Sequence, residues 1–162
     1  MSDSRAVLID LTRARTMVDR AIEHARSNGF APMTIAVLDA ARRLVAFAGE
    51  DGSSLLRERI ARGKAHGALN MGVGSRGPAA HAASDPAFVT PLVTLEDGDL
   101  VPAAAGVLVR DDDNNIIGAV GVSGSLPDDD EACAIHGIAA AGLRADPGAA
   151  DPNLIRPSLL TD

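Results

Sequence analysis

One lysine, two histidines and one aspartate carry most of the reactive potential of this chain. Lys64 stands in Ile60-Ala-Arg-Gly-Lys-Ala65, among small residues. An ammonium flanked in this way either runs along a helix surface to water or enters a pocket. In a pocket it can hold a carboxylate, or act as a base once desolvation lowers its pKa. Asp51 lies just before the same segment, with Arg57 and Arg59 following. An aspartate there serves a turn, or it pairs with Lys64 for proton transfer if folding brings the two within hydrogen-bond reach.

The imidazoles are His24, His66, His81 and His136. They form no paired or Cys/His cluster, so no metal site is expected. His66 follows Lys64 by two positions, and at 3.6 residues per turn the two side chains point about 200° apart on one helix. They therefore cannot enter the same pocket from that helix. His81 falls in a stretch rich in glycine and proline, where a ligand could order it. His24 belongs to the polar side of a helix and His136 to a packed one. Gly121-Val-Ser-Gly124 lacks the full nucleophile-elbow pattern, so its glycines are read as close-approach positions for a ligand or a partner. The acidic run after it argues against a phosphate cradle. Cys133 sits among alanines and is expected to be an inert packed thiol.

The elements that must position these groups follow from periodicity. Asp10 is a helix N-cap, followed by Leu11, Ala14, Val18, Ala21, Ile22 and Ala25 at helical spacing and by Gly29 as the stop. Thr34–Asp39 and Leu44–Ala48 are two apolar runs a hairpin loop apart. Ser53 or Ser54 is the expected cap of a second helix reaching Met71, with Leu56, Ile60, Ala61, Ala65, Ala68 and Leu69 on its inner side. Gly63 and Gly67 on that helix each cost about 1 kcal/mol against alanine, so another element or a ligand should come close there. From Gly72 to Val101, glycines and prolines break the pattern, and mostly loop with room for short helical pieces is expected, covering a site or a subunit contact, or mobile. Ala104–Arg110 and Asn115–Ser123 flank Asp111-Asp-Asp-Asn-Asn as the clearest hairpin. Asp128 is the expected cap of a last helix, with Asp129, Asp130 and Glu131 favoured in its first turn by the helix dipole. Residues 1–145 then read as one domain, and 146–162 as an extended arm, frayed or laid across a neighbouring subunit.

A chain of 162 residues can bury one core. With no Trp or Tyr and only three Phe, that core is built from small and branched aliphatics packed closely, in keeping with sixteen glycines. A net charge of −7 argues against nucleic acid or an anionic membrane as partner. The single cysteine and the lack of a long apolar run suit a cytoplasmic protein. Two hairpins with intervening helices suggest an α+β layered domain rather than a parallel nucleotide-binding sheet.

Four stretches in order resemble the GlcG/HbpS-like family, of DUF336 type. They are Thr34-Ile-Ala-Val-Leu-Asp-Ala40; Asp51-Gly-Ser with Ile60-Ala-Arg-Gly-Lys-Ala65; Ala105-Gly-Val-Leu-Val109; and Ile117-Gly-Ala-Val-Gly-Val-Ser-Gly124 with Asp130-Glu-Ala-Cys-Ala134. The resemblance covers roughly residues 8 to 145. It implies a five-stranded antiparallel sheet flanked by helices (profilin-like layering) and a dimer or larger homo-oligomer. It also implies haem as the cofactor to consider; the residues that the chain's own chemistry and positions offer to receive it are His66, His81, Lys64, Gly121 and Gly124. His66 replaces the threonine that the family often has after Lys-Ala, and Ala105-Gly-Val-Leu108 replaces its Gly-Gly-x-Pro. Three readings stand open: a small-molecule-binding oligomer that takes up haem or a similar carboxylate-bearing ligand; a metal-independent enzyme acting on a small organic acid or aromatic catabolite through Lys64 and Asp51; or an accessory subunit used for assembly alone.

Overall fold

The computed structural model describes residues 9–96 and 99–149. Its elements run α1 (Leu11–Ser27), β1 (Thr34–Asp39), β2 (Leu44–Gly49), α2 (Arg57–Met71), α3 (Arg76–Ser84), α4 (Pro86–Leu95), β3 (Gly106–Arg110), β4 (Ile116–Ser123), α5 (Pro127–Ala140) and β5 (Arg144–Asp146). The five strands form one antiparallel sheet in the order β2-β1-β4-β3-β5. The α+β class and the five-stranded sheet are as the sequence and its resemblance imply. The two hairpins are β1–β2 and β3–β4, joined through a β1–β4 seam running from Thr34↔Ser123 to Asp39↔Gly118.

Asp10 caps α1 as expected, its Oδ1 accepting the Arg13 amide at 2.7 Å, and Gly29 turns the chain at φ 67°. Helices α1 and α5 cover one face of the sheet, burying Met17, Ala21, Ala134 and Ile138 against Ile35, Val37, Val107, Val120 and Val122. Helix α2 covers the other face, where Ala65 and Ala68 meet Leu38, Leu108 and Ala119.

A lane without side chains crosses the sheet beneath α2. Gly106 and Gly121 are cross-strand partners. A methyl on Gly121 would run into the Ala61 carbonyl, and one on Gly106 into the Lys64 carbonyl. The helix backbone thus rests directly on the strands, which is how a core with so few large side chains reaches close packing. Gly63 and Gly67 do the same on the opposite side of α2. Val101 and Asp99 lie against Gly63, and Leu100 against Gly67, with the Val101 amide donating to the Gly63 carbonyl at 3.2 Å. The close approach inferred at these two glycines comes from another element.

Four expectations need correction. Residues 72–101 hold two helices, α3 and α4, where mostly loop was expected. Pro78 falls in the first turn of α3 and Pro86 at the first position of α4, where a missing amide costs nothing; of the two prolines in α4, only Pro91 lies in the helix interior. Helix α2 starts at Arg57 with Leu56 in the cap position and no side-chain cap, because the chain is still turning at Ser53 and Ser54, whose amide and carbonyl bond Glu50 and Arg57. Helix α5 begins at Pro127 with Leu126 in the cap position, so Asp128 is not its cap. Chain beyond Ala145 is still in the sheet: β5 pairs Asp146 with Leu108. The expected arm from residue 150 on lies outside the described residues.

Candidate functional site

Three polar or hollow regions lie around α2. The first is a buried ion-pair network at the start of α5. The Lys64 Nζ donates to the Val122 carbonyl at 2.8 Å and to Asp130 Oδ2 at 3.2 Å, with the two residues only 4% and 1% exposed. The other Asp130 oxygen accepts the Ser125 amide at 2.8 Å. Beside it, Glu131 Oε2 accepts from Arg76 Nε at 2.9 Å and Nη2 at 2.6 Å, and Arg76 also reaches Asp128. Burial pulls the Lys64 ammonium below its ordinary pKa and pushes the Asp130 carboxyl up, against their mutual attraction. Glu131 Oε1 has no hydrogen-bond partner among the described residues.

This network settles where Lys64 goes. Its ammonium is neither in water nor in a hollow, and its acid partner is Asp130. Asp51 lies exposed on the turn after β2, with no hydrogen bond or ion pair among the described residues, because the backbone sends α2 back over the sheet before Lys64 is reached. The pairing of Lys64 with Asp51 is thereby corrected, and Lys64 is not free to hold a ligand carboxylate. The sequence reads Asp130 and Glu131 as helix-dipole charges, whereas the structure buries both. Their helical spacing to Ala134, Gly137 and Ile138 on the buried side of α5 was the available signal that they point inward.

The second region is an apolar hollow of about 320 Å³ under α3 and α4. Met71, Pro78, His81, Phe88, Leu92 and Leu100 are among its walls. The rings of His81 and Phe88 lie 5.2 Å apart, tilted by 48°. No arginine or lysine is among the wall residues.

The third is a polar hollow of about 490 Å³, lined by Ala41, Arg42, His66, Leu95, Glu96 and Asp99. His66 is 9% exposed. Burial lowers its pKa, with Asp99 opposing, so the ring is neutral near pH 7. The expectation that Lys64 and His66 diverge holds: the lysine runs to the end of the central strand β4, where it meets Val122 and Asp130, while the histidine faces this hollow.

Gly121 and Gly124, expected near a ligand, are covered by protein. The space beside Gly121 is filled by the α2 backbone, and that beside Gly124 by Pro32 and Met33. Ser123 ends its strand and accepts a hydrogen bond from Arg57 at 3.0 Å. Cys133 is buried, and burial pushes its thiol up to about 12, an unreactive state. His136 is exposed and stacks on His24 at 4.6 Å rather than packing inside. Among the described residues no three metal-ligating side chains converge, and no helix is long and apolar enough to cross a membrane.

Comparison with known proteins follows the fold. A model of the HbpS-like family, described as haem degrading protein HbpS-like, matches residues 9–139. Solved structures with the same fold include a PduOC–haem complex at 24% identity, TM-score 0.70, covering 85% of this chain and 97% of the other. HbpS matches at 21% identity and TM-score 0.69, covering 84% and 92%. ORFY of Klebsiella pneumoniae, a DUF336 protein, matches at 22% and 0.74, covering 88% and 97%. None of the curated proteins compared with the chain matches it.

Proposed function

The chain belongs to the HbpS-like family, and from that premise we propose that it binds haem, or a related flat carboxylate-bearing molecule, in the apolar hollow under α3 and α4. One observation carries the reading: an imidazole, His81, stands in the wall of an otherwise apolar hollow, its ring beside that of Phe88. A neutral imidazole is a common haem-iron ligand, and a mostly apolar wall with few polar groups is the usual character of a cofactor site. Bound there, haem would supply redox-active iron. The chain's own part would be His81 as ligand, Phe88 and Leu92 as apolar cover, and Met71 as a thioether neighbour. With no cation among the wall residues, the carboxylates would face solvent.

His66 is the weaker ligand candidate, since Arg42, Glu96 and Asp99 around it suit a polar molecule. The enzyme reading through Lys64 and Asp51 is weaker still, because the ammonium is buried in an ion pair with Asp130. The proposal includes a cytoplasmic protein that self-associates as a dimer or larger homo-oligomer.

Titration of the purified apo-protein with hemin tests the reading. A saturable Soret shift in the low micromolar range is expected, lost in His81→Ala and kept in His66→Ala. A featureless, non-saturating response, or a shift indifferent to His81→Ala, overturns it.

A further inference from the structure

We propose that the polar hollow beside His66 is a second binding site, separate from the haem reading, and that it takes a small zwitterion carrying an ammonium and a carboxylate on one carbon. The hollow is assembled by backbone features far apart in sequence. Gly63 and Gly67 admit residues 99–101 onto α2, which brings Asp99 to the same hollow as His66. On the other side, the β1–β2 turn is braced by Asp39, whose Oδ1 accepts the Ala41 and Arg43 amides at 2.9 and 3.0 Å. That turn holds Arg42 at φ 65°, a left-handed conformation that a non-glycine residue adopts only where its surroundings require it.

The charges of the hollow are only partly paired within the protein, and Arg42 and Asp99 are open to water. Arg42 Nη1 donates to Asn70 Oδ1 at 2.9 Å and to Glu96 Oε2 at 3.4 Å, and Asn70 donates to the same Glu96 oxygen at 2.6 Å. Glu96 is thus partnered, while Arg42 Nε and Nη2 make no hydrogen bond among the described residues. Neither the Asp99 carboxylate nor the His66 ring makes one among them. A hollow of this kind offers a guanidinium edge, an unpaired carboxylate and a neutral imidazole able to accept or donate. An anion alone would meet Asp99 and Glu96, in a protein of net charge −7. A cation alone would leave the guanidinium edge unmatched and meet its charge. A zwitterion satisfies both ends and adds no net charge, each charged hydrogen bond being stronger than a neutral one. His66 would then accept from, or donate to, a hydroxyl or the ammonium of the ligand.

The test follows the His66 ring resonances of the full-length, haem-free protein, assigned by their loss in His66→Gln. Three probes of matched skeleton are titrated: L-serine, ethanolamine (which lacks its carboxylate) and 3-hydroxypropionate (which lacks its ammonium). Saturable shifts with serine at millimolar concentration are expected, with each analogue about tenfold weaker or more, in line with the loss of one charged hydrogen bond. Arg42→Asn, a residue that tolerates the same left-handed turn, and Asp99→Asn should each weaken serine by about tenfold. No saturation with serine, equal affinity for an analogue, or indifference to both substitutions overturns the proposal. Because no haem is present, failure here leaves the His81 reading untouched, and failure of the hemin titration leaves this one standing.

Discussion

Asp130→Asn isolates the contribution of the buried pair beneath α2. The substitution keeps the shape of the side chain and its acceptor for the Ser125 amide, but removes the charge 3.2 Å from the Lys64 ammonium. The ammonium, 4% exposed, then retains only the Val122 carbonyl as a strong acceptor. Breaking a buried ion pair costs about 3–5 kcal/mol. The loss has a ceiling, because Lys64 can shed its proton. From an ordinary value of 10.5, deprotonation at pH 7 costs about 4.8 kcal/mol at 1.36 kcal/mol per unit, and at pH 9 about 2 kcal/mol. The sign follows: the folded variant binds fewer protons than the unfolded chain, so its stability rises as pH rises toward 10.5. Urea unfolding followed by far-ultraviolet circular dichroism should show a loss of about 3–5 kcal/mol at pH 7, reduced to about 2 kcal/mol at pH 9. Adding Lys64→Met to Asp130→Asn should recover most of it, since the orphan charge is gone. A loss below about 1 kcal/mol at pH 7, as for exposed pairs, or one unchanged at pH 9, would refute the reasoning.

Gly121→Ala should cost at least about 2 kcal/mol by the same denaturation assay, since its methyl would meet the Ala61 carbonyl. Gly77→Ala, in the first turn of α3 where the nearest contact is an ordinary 3.7 Å to Val73, should gain up to about 1 kcal/mol, chiefly because alanine has less freedom to lose from the unfolded chain. Stability should also fall as pH drops from 7 through 6.5. Burial lowers the pKa of His66, and burial with His136 nearby lowers that of His24, so the unfolded chain takes up protons there before the folded one. A melting temperature flat from pH 7.5 to about 5.5, across the ordinary histidine range, or a fall unaltered in His66→Gln, would contradict this.

Much of the fold was legible because it rests on local periodicity. Asp10 with its helix, the two hairpins and the long runs of α2 and α5 announce themselves through spacings of two and near four residues. So does the need for something to press on Gly63 and Gly67, since a glycine in a helix interior is costly unless space is required. The helices α3 and α4 were hidden by Pro78, Pro86 and Pro91, whose breaking effect depends on a position within the helix that only the backbone reveals.

The site was legible in its residue types and not in its pairings. Lys64, His66 and His81 could be singled out from the chain, and the angle between Lys64 and His66 followed from helix geometry. That Lys64 finds Asp130 and not Asp51 depends on α5 bringing its first turn to the end of β4, 66 residues away. That Asp99 and Arg42 share a hollow with His66 depends on residues 99–101 lying against α2 at Gly63 and Gly67 and on the β1–β2 turn reaching Asn70 near the end of that helix. Residue chemistry and local spacing are properties of the chain itself, because they need only neighbours a few bonds away. Burial, charge partners and hollows arise from contacts across the sheet, and only the folded backbone decides them.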